Sequence, residues 1–294
     1  MITWDRIRNP ILNLHPKMFL RDPALVYHDE TFHCFHSAGV YNKFKYQFYL
    51  HVTRSKDLVN WTRSELVIDS KAGFSSPGNA IKVGNRWVLC MQTYPIPRFT
   101  QFASQKARLW LVESEDLIHW GEPYMLSPGG CDANWTRSKR QIDPFIVVHD
   151  GKYWCFYKTH GNLGLLVSDN LKDWEEACPD YPVLSRKQTP DNSTIENPSI
   201  LRKGNRFLMF FSPCRPGRGI GIAESEDLLV WDNIHYLKFP SQGWAPGGPT
   251  APFVLDSREI MGKYLMAYHG DIKQPHAAAL GLAWSDDLEN WHVD

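Results

Sequence analysis

The chain spells Ser-x-Asp/Asn-Leu-x-x-Trp five times, at Ser55 to Trp61, Ser114 to Trp120, Ser168 to Trp174, Ser225 to Trp231 and Ser285 to Trp291. The copies recur at roughly 55 to 60 residues, a period that belongs to radial or solenoidal repeats rather than to one irregular core. Ser and Asp side chains accept hydrogen bonds from nearby amides, so each copy is a turn signal. Asp57, Asp116, Asn170, Asp227 and Asp287 are therefore read as turn residues. The Leu and Trp beside them are apolar pegs for packing on a neighbouring unit.

Upstream of each turn lies the same plan. In the third repeat an apolar run, Asp143 to Val148, has its Pro at the start, where a strand tolerates it. His149-Asp150-Gly151 is a hairpin signal, Lys152 to Tyr157 an aromatic strand, and Leu165 to Val167 a third strand before the turn. The other repeats follow, with Asp22-Pro23, Ser76-Pro77, Asn197-Pro198 and Ala251-Pro252 opening their first strands. Four short antiparallel strands per unit, five times over, predict an all-β, five-bladed β-propeller. The repeats fill residues 1–294, so a single domain is expected. Trp4-Asp5-Arg6 resembles the start of an outer strand such as Trp231-Asp232-Asn233, which predicts that the N-terminal segment closes the ring at the last blade.

Composition sets limits. Lys+Arg equals Asp+Glu, giving no electrostatic reason for a nucleic-acid or anionic-membrane partner. No apolar run is long enough to span a bilayer, and Met1 to Arg6 lacks the apolar core of a secretory signal. A reducing, cytoplasmic setting is expected. Cys34, Cys90 and Cys155 sit at matching mid-strand places and read as buried small hydrophobes rather than disulfide partners. The cysteines have no metal-ligand spacing, so no metal residue is assigned. Oligomeric state is not legible.

If the innermost strand of each blade descends the channel, the Ser-x-Asp-Leu-x-x-Trp turns and the Gly-containing hairpins lie on the bottom. The starts of the innermost strands and the loops after the second strands share the top. Three blades open there with an acid: Asp22, Asp143 and Glu196. Carboxylates converging on an axis repel one another and lose water, so such a cluster costs stability unless it serves a reaction. Glycoside hydrolysis needs one protonated and one ionised carboxyl on opposite sides of the scissile bond.

Arg21-Asp22-Pro23, Ser76-Pro77, Ile142-Asp143-Pro144-Phe145 and Glu196-Asn197-Pro198 together resemble glycoside hydrolase family 43 and its five-bladed relatives over nearly the whole chain. The resemblance implies Asp22 as general base, Asp143 as the residue that orients the acid and tunes its pKa, and Glu196 as general acid. It implies an inverting enzyme acting on arabinofuranosides or xylosides, with galactofuranosides also represented among the relatives, that needs no cofactor; exo action is expected from the inserted rim at Ser127 to Arg140. Many members open the fifth blade with Gly-Pro-Gly-His, whose His helps organise the channel near a bound calcium. Here the stretch is Gly247-Gly248-Pro249-Thr250, which argues against that calcium and for a divergent branch.

The remaining top-face candidates are substrate-binding. His36, Tyr94, His160, Arg215 with Arg218, and His269 with Asp271 follow the second strands. Phe74, Trp135 and Trp244 precede innermost strands and are expected to wall the pocket. Ser127 to Arg140 is read as an inserted rim that restricts the site to chain ends. Two rivals stay open. A glycoside phosphorylase would use Arg215 and Arg218 for phosphate, and a non-catalytic carbohydrate-binding propeller would have no use for the three acids. A sialidase is disfavoured, because Leu replaces the Gly of its repeat and no Arg triad opens the innermost strands.

Overall fold

The computed structural model describes residues 2–12, 18–42, 45–98, 100, 102–215, 217, 219–273 and 277–294. It is a five-bladed β-propeller of antiparallel sheets. Blade one holds β1 (Met18–His28), β2 (Thr31–Asn42), β3 (Lys45–Ser55) and β4 (Glu65–Leu66). Blade two holds β5 (Phe74–Ser75), β6 (Ala80–Val83), β7 (Arg86–Thr93), β8 (Leu109–Ser114) and β9 (Tyr124–Met125). Blade three holds β10 (Ile142–His149), β11 (Lys152–Thr159), β12 (Asn162–Ser168) and β13 (Glu175–Glu176). Blade four holds β14 (Thr194–Lys203), β15 (Arg206–Cys214), β16 (Gly221–Ser225) and β17 (Asp232–Tyr236). Blade five holds β18 (Pro249–Ser257), β19 (Lys263–Lys273), β20 (Ala277–Ser285) and β21 (Trp291–His292).

The repeated turns work as their residue types require. Ser55 Oγ accepts the amide of Leu58 at 2.9 Å, and Asp57 Oδ1 accepts those of Val59 and Asn60 at 2.9 and 2.7 Å. The same bonds recur after Ser114, Ser168, Ser225 and Ser285. Each turn drives its Leu into the left-handed region, at φ 62, 61, 65, 68 and 78° for Leu58, Leu117, Leu171, Leu228 and Leu288. The Trp that follows reaches the preceding blade. Trp120 meets Phe35 edge to face at 5.6 Å, Trp231 meets Phe156 at 5.8 Å and Trp291 meets Phe210 at 6.1 Å. Aromatic pairs of this geometry contribute about 0.5–1.5 kcal/mol beyond their burial.

A second device repeats on the axis. The residue before each innermost-strand proline has positive φ: Asp22 51°, Ser76 41°, Asp143 55°, Asn197 49° and Ala251 49°. In four blades the register with the second strand shifts at this point, as a β-bulge does. In blade two the strand is interrupted outright between β5 and β6, where Gly78 packs so close to Pro144 that a Cβ would fall 1.7 Å from its carbonyl oxygen. Because Ser76 and Ala251 share the conformation, the strain belongs to the fold and is no catalytic signature in itself. Cys34, Cys90 and Cys155 are buried free thiols, and burial pushes Cys34 and Cys90 up to about 12.

The N-terminal segment does close the ring at the last blade, though not as expected. Trp4–Arg6 forms a 3-10 turn rather than an outer strand, with Trp4 against Trp284 at 5.3 Å. The strand-like pairing comes later. Ile11 donates its amide to the Leu280 carbonyl at 2.9 Å, and Leu12 bridges Leu280. Asn9 imitates a backbone unit, its Nδ2 donating to the Leu282 carbonyl at 2.9 Å and its Oδ1 accepting the Leu282 amide at 2.8 Å.

Candidate active site

Asp22, Asp143 and Glu196 line one pocket of about 570 Å³ at the top of the channel. They do not occupy matching places. Asp22 and Asp143 are the left-handed residues of their bulges, whereas Glu196 stands one residue earlier, before Asn197. The matching place in blade one is Arg21, opposite Ser37, as Glu196 is opposite Ser212. The bulge brings both kinds of position to the pocket, since the extra residue re-aims the side chains on either side of it.

Each acid has its own surroundings. Asp22 Oδ2 accepts hydrogen bonds from Ser76 Oγ at 2.8 Å and Ser37 Oγ at 2.9 Å, and its amide donates to His269 Nδ1 at 3.1 Å. Burial raises its pKa, only partly offset by Ser76, the Arg21 charge and Ser37, while the charge of Glu196 adds to the rise. Asp143 donates its amide to Gln92 Oε1 at 2.6 Å and accepts that of Asn197 at 3.4 Å. Burial, with the charges of Glu196 and Asp22, pushes its carboxyl up to about 7 against the pull of Lys158. Gln92 Nε2 donates to Ser76 Oγ at 3.0 Å, so a hydrogen-bonded chain links the Asp143 backbone to the Asp22 carboxylate. Glu196 Oε1 contacts Lys158 Nζ directly.

Of the expected substrate-binding residues, Tyr94, His160 and His269 line the pocket. His36 does not. The second strand of blade one runs on to Asn42, so His36 lies within it, fully buried and bonded through Nε2 to Ser64 Oγ at 3.0 Å. Its neighbour Ser37 faces the axis, since a one-residue slip reverses the face. Phe74 is core, edge to face with Trp110 at 5.3 Å. Trp135 packs on the apolar cluster that holds Cys131 and Tyr157. Trp244 stacks on Tyr268 at 6.1 Å and donates Nε1 to Gln242 Oε1 at 2.7 Å. Arg215 lies over the Tyr236 ring at 4.2 Å and pairs with Asp191 at 3.4 Å, away from the pocket. Arg218 lies outside the described residues. Within Ser127 to Arg140 only Arg140 reaches the pocket; Pro128, Gly129 and Lys139 instead receive hydrogen bonds from Arg108.

The rest of the wall comes from residues that the sequence does not single out. Phe19, Tyr46 and Phe48 of blade one form an aromatic face, with Phe19 edge-on to Tyr46 at 6.0 Å and to Phe48 at 5.6 Å. Phe48 in turn meets Tyr94 at 5.7 Å. Phe102 stands 71% exposed at the mouth. Lys158, Arg140 and Arg186 also line the cavity. The alternation of Tyr46, Phe48 and the length of the strands around them were the available signal.

Below the acids the axis narrows to a small second cavity lined by Pro23, Pro77, Pro144, Pro198, Pro252 and Phe253, with Asp22, Ser76, Asp143 and Asn197 on its rim. A calcium ion takes six to eight oxygen ligands. His269 Nδ1 accepts the Asp22 amide, and no cluster of three metal-ligating side chains occurs among the described residues.

Acids of differing environment around the axis of a five-bladed propeller, beneath aromatic faces, define a carbohydrate-cleaving enzyme, a glycosidase. Residues 7–175 match the model of glycosyl hydrolases family 43, and the chain belongs to that family. None of the curated proteins compared matches it. Among solved structures it resembles an exo-1,5-α-L-arabinanase from a bovine ruminal metagenomic library, with 13% identity, 96% of this chain and 99% of that chain covered and a TM-score of 0.70. An α-L-arabinanase mutant from Cellvibrio cellulosa has 18% identity, coverage of 94% and 95% and a TM-score of 0.67. A family 43 endo-arabinanase from Bacillus licheniformis has 17% identity, coverage of 93% and 97% and a TM-score of 0.66. At such identities these likenesses are of fold.

Proposed function

We propose that the protein is an inverting, exo-acting glycosidase for arabinofuranosides, galactofuranosides or xylosides. Asp22 is the general base, Glu196 the general acid, and Asp143 the neighbour that orients the acid and tunes its proton affinity. The observation that carries this reading is the difference between the acids' environments. Burial raises the Asp22 pKa, which suits a base taking a proton from water, while two hydroxyl donors and the neighbouring Arg21 work against that rise and keep the carboxylate form supported. Asp143, pushed up to about 7, changes charge near neutrality next to Glu196.

Glu196 then protonates the departing glycosidic oxygen while water, deprotonated by Asp22, attacks the anomeric carbon from the opposite face. The arabinanase names of the structural neighbours point to the same sugar class. Arg215, which pairs with Asp191 and lies over Tyr236, is not among the residues that line the cavity, and phosphate-dependent turnover is the test of the phosphorylase alternative.

The test is a panel of p-nitrophenyl furanosides and pyranosides with wild type and Glu196→Gln, the first-formed anomer being followed by NMR. Hydrolysis without phosphate, giving the inverted anomer, is expected. Glu196→Gln should lose about 10²–10⁴-fold on sugar leaving groups and far less on aryl ones. Retention of configuration, or equal losses on both leaving groups, would refute the assignment.

A further inference from the structure

Each second strand brings one side chain to the axis at a matching register: Ser37 opposite Arg21, Gln92 opposite Ser75, Lys158 opposite Ile142, Ser212 opposite Glu196 and His269 opposite Thr250. Four of them accept the amide of the left-handed residue in the next blade. Ser37 takes Ser76 at 2.7 Å, Gln92 takes Asp143 at 2.6 Å, Ser212 takes Ala251 at 2.6 Å and His269 takes Asp22 at 3.1 Å. Lys158 breaks the rule. An ammonium has no lone pair to offer. The Asn197 amide turns instead to Asp143 Oδ2 at a longer 3.4 Å, and Lys158 Nζ contacts Glu196 Oε1.

The exception is costly to the fold and therefore informative. The Lys158 side chain is only 9% exposed, and burying an ammonium costs several kcal/mol unless it is paired. A serine at this position would satisfy the fold better, as it does in blades one and four. We propose that Lys158 is a positioning residue for catalysis: its ammonium holds the Glu196 carboxyl at the pocket wall and meets the negative charge that Glu196 acquires on giving its proton to the leaving group. This rests on the proposed acid role of Glu196. Charge that develops in a water-poor site is stabilised most by a group already in place.

The groups facing the pair are Asp143 from β10, Asp22 from β1, Arg140 from the segment before β10, and Tyr94 and His160 beyond the second strands of blades two and three. Burial alone would lower the Lys158 pKa; Glu196 and Asp143 reverse this and raise it, so the lysine stays charged. Lys158 and Asp143 thus act on Glu196 with opposite sign, one favouring the carboxylate and the other the acid.

The experiment compares Lys158→Ser with Lys158→Arg, Lys158→Met and Glu196→Gln on substrates with sugar and aryl leaving groups across pH. Lys158→Ser offers the Asn197 amide the hydroxyl acceptor that its counterparts have in blades one and four, in place of its long bond to Asp143, so its Tm should match or exceed wild type. Its kcat should fall about 10²-fold for sugar leaving groups and less than about 10-fold for aryl ones, and the basic limb of kcat/KM should move up by about one unit or more. Lys158→Met, which keeps the aliphatic stem, should behave alike, and Lys158→Arg should restore the limb. An unmoved limb with equal losses on both leaving groups, or an arginine variant as impaired as the serine one, would overturn the proposal. If Glu196→Gln stays leaving-group-selective in that case, only the role of Lys158 falls. If it does not, the acid assignment falls with it.

Discussion

His269, in the last blade, accepts through Nδ1 the backbone amide of Asp22, in the first, at 3.1 Å. The residue proposed to activate water is thus anchored by its main chain across the seam where the propeller closes. Ser37 and Ser76 then fix its carboxylate. Removing the acceptor leaves a buried donor unsatisfied, at about 1–3 kcal/mol. His269→Ala should therefore lower both Tm and kcat. His269→Gln, which offers an acceptor as Gln92 does to Asp143, should recover more of each than Ala does. Equal damage from Ala and Gln, read by thermal melts and initial rates, would separate His269 from this role.

Asp22→Asn should abolish turnover of every substrate, aryl glycosides included, by at least about 10³-fold, because leaving-group quality does not replace a missing base. In the wild type, burial raises Asp22 above its ordinary value of 3.8, so the acid limb of kcat/KM should lie above the usual aspartate range. A limb below about 4, measured with a saturating buffer series, would contradict this environment.

Asp143 links pH to stability. Its folded pKa of about 7 exceeds the ordinary 3.8 of an unfolded chain. Between these values the folded state holds a proton that the unfolded state has released, so stability falls as pH rises through the window. Asp143→Asn cannot titrate. Its Tm relative to wild type should rise between about pH 4 and about pH 8, while its basic limb moves down as repulsion on Glu196 is relieved. A Tm difference constant over that range would mean that Asp143 is ionised throughout.

Asn9 holds both backbone groups of Leu282 in place of a strand. Asn9→Ala leaves both unsatisfied at the ring seam, and a loss of about 2–4 kcal/mol is expected from two such groups. Urea unfolding measures it, and a midpoint within error of wild type would show that water replaces the side chain.

Five copies of one turn were enough to read the architecture, because the Ser, Asp, Leu and Trp of each copy have local work that sequence spacing reveals. The three acids were legible from the proline that marks each bulge, which directly follows Asp22 and Asp143 and follows Glu196 after Asn197. What failed was parity. His36 is one residue from Ser37 and faces the other way, and Arg215 is three residues beyond Ser212 and leaves the axis. Tyr94 and His160, two beyond Gln92 and Lys158, keep the face and reach the pocket. Glu196 was read as equivalent to Asp22 although it lies on the other side of the bulge, an offset that depends on three-dimensional register. Lys158 went unnoticed because a lysine at a strand end usually reaches solvent.

The ring seam also decides how the enzyme loses function. Asp22 is tied to the last blade through His269, and Arg21 through Asp271 at 3.2 Å, while the N-terminal segment is fastened to the same blade by Asn9, Ile11 and Leu12. Slight parting of these contacts would displace the base while the other interfaces between blades, three of them carrying Trp–Phe contacts, remain closed. Inactivation should then precede unfolding in mild denaturant, making turnover itself the most sensitive gauge of whether the circle is shut.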